Sequence, residues 1–132
     1  MTSKRFEDIV TKAIELARWV MNPQGRITVK FVNYASENGD EAWVACLPQK
    51  GRYEICFRVP DDIESMPDTL ENEARIASVA FHEVTHIIQD PFTEMLKDTL
   101  SENQQETIEE RWAYNVMDLM IWCIIKAGAL TN

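Results

Sequence analysis

The chain has 132 residues, 13 basic and 22 acidic, for a formal net charge of −9, with 45% hydrophobic and 27% charged residues. Such a composition can fill one hydrophobic core, and it predicts a single domain over residues 1–132 rather than a disordered chain. An acidic surplus with no basic cluster would repel a phosphate backbone, so nucleic acid is not expected as a partner.

Phe6, Ile9, Val10, Ala13, Ile14, Ala17 and Val20 recur at helical spacing and predict an amphipathic first helix, ended by Asn22-Pro23. Charges interrupt this segment throughout, so it lacks the apolar core of a signal peptide. "RITVKFVNYA" (26–35) is β-branched and aromatic and predicts a strand, followed by the turn-like "SENGDE". "AWVACL" (42–47) and "RYEICFRV" (52–59), joined by "PQKG", predict a hairpin. "PDDIESMPD" then reads as a loop. Asp68 with Glu71 has the pattern of a capping box, opening a helix over 69–89 that Asp90-Pro91 should stop. Residues 92–100 predict no more than a short helix. Ser101 with Gln104 makes a second capping box, opening a long helix over 102–127 that Gly128 releases. The order α-β-β-β-α-α predicts an α+β domain, its small antiparallel three-stranded sheet packed on the last two helices.

The longest apolar run, "LMIWCII" at 119–125, is too short to cross a bilayer and is flanked by Asp118 and Lys126, so no membrane partner is expected. Cys46, Cys56 and Cys123 are odd in number and contain no CxxC pair, which fits reduced thiols and a cytoplasmic location. Cys46 and Cys56 flank the hairpin, but two thiols cannot close a four-ligand zinc site. Cys123 falls with Trp112, Val116 and Leu119, and beside Ala113, Met117, Met120 and Ile124, on a wide apolar face, as an inert core thiol.

Both histidines of the chain lie in "HEVTH", residues 82–86. On a helix these positions are one turn apart on one face, so both imidazoles can reach a single ion. Zinc takes neutral imidazole nitrogens, and Glu83, about 100° around the helix, can act as base toward a water beside the ion. The helix is otherwise apolar nearly all round, through Ile76, Ala77, Val79, Ala80, Phe81, Val84, Ile87 and Ile88. Burying two imidazoles and a carboxylate there is costly without compensation, which favours a metal site over a hydrogen-bonded core cluster. With no third histidine, a carboxylate must complete the site. Glu106, Glu109 and Glu110 in "NQQETIEERWAYNVMD" compete, and at least two of the three belong to an acidic solvated face. A helix capped at Ser101 carries Glu110 about two turns in, beyond the frayed end.

HEVTH on a buried helix, followed by a glutamate on the next long helix, resembles the gluzincin-type zinc peptidases. Minimal single-domain gluzincins and the ImmA/IrrE-type peptidases are similar in size, and the likeness covers mainly residues 68–128. The metzincin pattern needs Gly and His where this chain has Gln89 and Phe92. The resemblance implies Zn2+ held by His82, His86 and a glutamate, with Glu83 as catalytic base. The family carries a small residue three positions beyond the ligand glutamate, which favours Glu110, with Ala113 there, over Glu109 and Glu106. Glu106, twenty positions beyond His86, matches the thermolysin-like spacing and would put Glu110 where many relatives have an orienting Asp. Counted from Glu110, that place holds Tyr114; Asp90 is another candidate to orient a histidine. Relatives stabilise the oxyanion with a separate His or Tyr, a role open here to Tyr114, Tyr34, Tyr53 or Arg111. Tyr114 is the residue carried forward as catalytic.

The implied activity is a zinc-dependent endopeptidase acting on a peptide or protein. The alternative is a zinc-binding regulatory or interaction module of the same fold without turnover. Asn33 and Arg58 are candidates for an edge strand that would pair with extended substrate. So short a chain is expected to offer only shallow pockets to substrate side chains.

Overall fold

A computed structural model describes residues 1–23, 25–49, 51–96 and 98–127, and their side chains except at 46, 91–96, 116, 117 and 119–127. The fold is α+β. Helix α1 (Ser3–Met21) is followed by strands β1 (Arg26–Val32), β2 (Ala42–Cys46) and β3 (Arg52–Arg58), a 3-10 turn at Ile63–Ser65, then helices α2 (Leu70–Leu96) and α3 (Glu102–Ala127). Among the described residues no helix is long and apolar enough to cross a membrane.

Helix α1 begins where the Thr2 hydroxyl accepts from the Arg5 amide, and it ends at Asn22, whose left-handed φ of 47° turns the chain away. Its buried face is the expected stripe from Phe6 to Ala17, but Val20 lies outside it, 50% exposed. That face meets Ile27, Tyr53, Ile55 and Phe57 of the sheet and Ile76, Ala77, Ala80, Phe81, Val84 and Ile87 of α2 in one core. Helix α2 also packs along α3 and touches β2 and β3, so it is covered on several sides.

The sheet corrects the antiparallel expectation. Strand order is β1-β3-β2: β2 and β3 form the predicted antiparallel hairpin, whereas β1 pairs with β3 in parallel, Arg26 opposite Arg52. The reason lies in β3, which buries the consecutive residues Ile55, Cys56 and Phe57 and therefore needs cover on both faces. A central place provides it. The "SENGDE" turn closes on itself through Ser36 N–H to Asp40 O, and the segment carries the chain past the place β3 will fill. Gly25 fits beside the hairpin turn because a Cβ there would lie 2.3 Å from the Gly51 carbonyl oxygen.

Two helix boundaries also differ from expectation. The cap of α2 is Thr69, whose hydroxyl accepts from the Asn72 amide, and Asp68 instead pairs with Arg5. Helix α2 does not stop before Pro91 but runs to Leu96, absorbing most of 92–100. Proline withholds one ladder donor. Here the residues just before it are anchored: Gln89 donates to the Glu109 carbonyl in α3, and Asp90 accepts from Tyr53 in β3. The Ser101–Gln104 capping box forms as read, with both reciprocal bonds, at 2.9 and 3.2 Å. The Gly128 terminus, the Cys46 and Cys123 thiols and the apolar face of α3 from 116 onward lie outside the described residues.

Candidate metal centre

Helix α2 presents His82 and His86 toward α3, their rings edge to face with centroids 4.7 Å apart. The capping box sets the start of α3, and Glu110 follows two turns later facing both imidazoles. His86 Nε2 is 3.0 Å from Glu110 Oε1, His82 Nε2 is 3.4 Å from Glu110 Oε2, and the two Nε2 atoms are 3.0 Å apart. Ala113, fully buried, sits one turn beyond Glu110 and lets the helices approach. Among the described residues this is the group of three side chains whose ligand atoms could share one cation.

Of the three glutamates, Glu110 is the one whose carboxylate lies beside both imidazoles. Glu106 is exposed on the first turns of α3, and Glu109 is half-buried with its carbonyl engaged by Gln89. Only Glu110 reaches the imidazoles. The donor set of two imidazole nitrogens and a carboxylate suits zinc. Tetrahedral bonds of about 2.0–2.1 Å put ligand atoms roughly 3.3 Å apart; the two Nε2 atoms are 3.0 Å apart, and each faces its own oxygen of Glu110, at 3.4 Å from His82 and 3.0 Å from His86. The residues fit the ion.

Glu83 is 7% exposed on α2, next to this cluster. Burial above all, then the charges of Glu110 and Asp40, push its carboxyl up to about 8. Asp40 lies just before β2, an edge strand of the sheet, and β2 packs against α2. Arg58 is not on an edge as expected: it belongs to central β3 and pairs with Glu41 and Asp61, each at 3.2 Å. Asn33 follows the β1 edge instead. A cavity of about 540 Å3 opens one turn before His82, lined by Phe6, Ala42, Phe57, Ile76 and Val79. The lining of that cavity includes none of His82, Glu83, His86 and Glu110; Val79, one turn before His82 and Glu83 on α2, is the lining residue nearest to them in sequence.

The remaining candidates separate. Tyr114 lies over His82, ring centroids 4.9 Å apart, and is 53% exposed. Tyr53 donates its hydroxyl to Asp90 at 2.8 Å, and Asp90 bonds neither histidine, since His86 Nδ1 faces Gln89 and His82 Nδ1 has no partner among the described residues. Tyr34 packs on Trp43, and Arg111 is exposed on α3. The residue that sequence reasoning missed is Gln89, whose Oε1 lies 3.2 Å from His86 Nδ1. Its place three positions beyond His86 was the available signal, since i and i+3 are neighbours on a helix. His82 Nδ1, by contrast, is buried with no hydrogen-bond partner among the described residues.

Burial, reinforced by the neighbouring His86, lowers the His82 pKa from its ordinary 6.5, against an opposing pull from Glu110. Because the unfolded chain then takes up protons first, the contribution of His82 to the stability of the metal-free fold is lost as pH falls below 6.5 toward the lowered folded value. Imidazoles bind metal only when neutral, so zinc loaded at pH 7.5 is expected to leave below pH about 6. Metal content after equilibration across pH 4–8 measures this, and full retention at pH 4 excludes imidazole ligation.

Comparison with family models, with curated proteins and with solved structures found no match to this chain.

Proposed function

We propose that this chain is a zinc-dependent endopeptidase. The observation that carries the reading is the convergence of His82 Nε2, His86 Nε2 and the Glu110 carboxylate, with one ligand atom from each residue within 4.8 Å of the others and Glu83 buried on the same helix. His82, His86 and Glu110 would hold the ion. When bound, zinc supplies Lewis acidity, polarising a peptide carbonyl and acidifying a water. Glu83 would take a proton from the attacking water and deliver it to the departing amine. Its buried position would keep the proton from bulk solvent. Tyr114, over His82 and open to solvent, is the residue available to donate to the developing oxyanion. An extended peptide would pair with the free edge of β2, with an apolar side chain reaching the cavity at Val79.

One observation favours the second reading, a zinc-holding regulatory or interaction module without turnover. His82 Nδ1 lacks the acceptor that orients a ligand histidine in well-supported catalytic sites. Chelation separates the readings. Untagged protein is expected to contain about one zinc per chain and to cleave members of a denatured-protein library. Removing the metal should abolish cleavage, and restoring zinc should return it. Stoichiometric zinc with no chelator-sensitive cleavage would favour the module.

A further inference from the structure

We infer that Gln89 is the positioning residue of this centre, fixing the tautomer of His86 and the register of the glutamate helix through one amide group; this rests on the metal reading above. Gln89 is 2% exposed, and its Nε2 donates to the Glu109 carbonyl at 2.8 Å. A carbonyl can only accept, so the amide nitrogen must face it and the amide oxygen must face His86 Nδ1, 3.2 Å away. That oxygen also only accepts, so the imidazole proton sits on Nδ1. A neutral imidazole has a single N–H, which leaves His86 Nε2 as a bare lone pair.

The bare lone pair lies 3.0 Å from Glu110 Oε1 and 3.0 Å from His82 Nε2. A hydrogen-bonded cluster without metal can place a proton between the two histidines. It leaves the contact of His86 with Glu110 as acceptor against acceptor. A cation removes that conflict. Gln89 therefore presets the form of His86 that a metal requires.

The same amide acts on a second ligand. Glu109 and Glu110 share a peptide bond, so holding the Glu109 carbonyl holds the backbone from which the Glu110 carboxylate projects. A carbonyl in the body of α3 already serves the helix ladder, and the bond from Gln89 is an addition to it rather than a rescue of an orphan group. His86 and Glu110 are thus held from behind by one side chain, whereas His82 has no such support at Nδ1.

The test uses the full chain and Gln89→Met, which keeps length and apolar volume but loses both bonds. Zinc affinity is measured by competition with a chromophoric chelator, beside the cobalt absorption spectrum and the melting temperature of the metal-free protein. The expected result is an affinity about 10–100-fold below wild type, with an altered cobalt spectrum and a metal-free protein that still melts cooperatively, at a temperature lowered by no more than the loss of two hydrogen bonds costs. Affinity within threefold of wild type and an unchanged spectrum would overturn the inference. Should the variant fail to fold, long-range proton–nitrogen NMR of metal-free wild type at pH 8 decides. His86 protonated on Nδ1 supports the role, and a ring protonated on Nε2 alone overturns it. Wild type that takes up no zinc overturns the metal reading itself, a result distinct from a variant that binds as tightly as wild type.

Discussion

Glu83→Gln is expected to lose peptide cleavage by about 10²–10⁴-fold, the usual contribution of a positioned acid–base group, while its zinc content stays at the wild-type level. The amide keeps the volume of the carboxyl but cannot take a proton. A second effect follows from the environment of Glu83. Its carboxyl, raised from 4.5 to about 8 in the metal-free fold, remains protonated at pH 7, whereas the unfolded chain ionises there. Folding is therefore penalised increasingly as pH rises from 4.5 through about 8, by about 3 kcal/mol at pH 7. Gln carries no such penalty, so the metal-free variant should be the more stable protein, with the difference vanishing near pH 4. Chemical denaturation of both apoproteins at pH 4, 7 and 8 measures it. A variant less stable than wild type at pH 7 would contradict the burial argument, and equal cleavage would remove Glu83 from the reaction.

The second large effect concerns the ligands. His82→Ala, His86→Ala and Glu110→Ala should each reduce zinc affinity by more than the roughly 10–100-fold that losing a supporting bond costs. Glu106→Ala and Glu109→Ala should leave it nearly unchanged, because the Glu106 side chain is exposed and the contact of Glu109 with Gln89 is made by its backbone. Calorimetric titration of zinc into the five metal-free variants reads the contrast. Glu106→Ala weakening zinc as much as Glu110→Ala would shift the ligand one turn along α3. Stability should not fall in parallel: Glu110 faces the bare Nε2 of His86 when the metal is absent, and its removal relieves that contact.

Much of this was legible in local sequence, for reasons particular to each element. The first helix is dictated by an apolar stripe that repeats every turn, and its end by an asparagine able to adopt a left-handed conformation before proline. Ser101 and Gln104 form reciprocal bonds that involve no other part of the chain, so their pattern carries over directly. The His82–His86 pairing is equally local, since helical geometry alone brings positions four apart together. Ala113 added the hint that favoured Glu110.

What tertiary structure decided is everything that depends on a neighbour not adjacent in sequence. The pairing of β1 with β3 rather than β2, and its parallel direction, depend on where the connection after β1 carries the chain, which the hairpin signal does not contain. Helix α2 continues through Pro91 because contacts from α3 and β3 hold the preceding turn, outweighing a local breaker. Gln89 acquires its role only when α3 brings the Glu109 carbonyl within 2.8 Å, and Asp90 loses its expected one to Tyr53. Periodicity and capping chemistry are written into a few consecutive residues. The partner of a buried polar group is chosen by whichever helix or strand packs against it, and that is settled only when the chain folds.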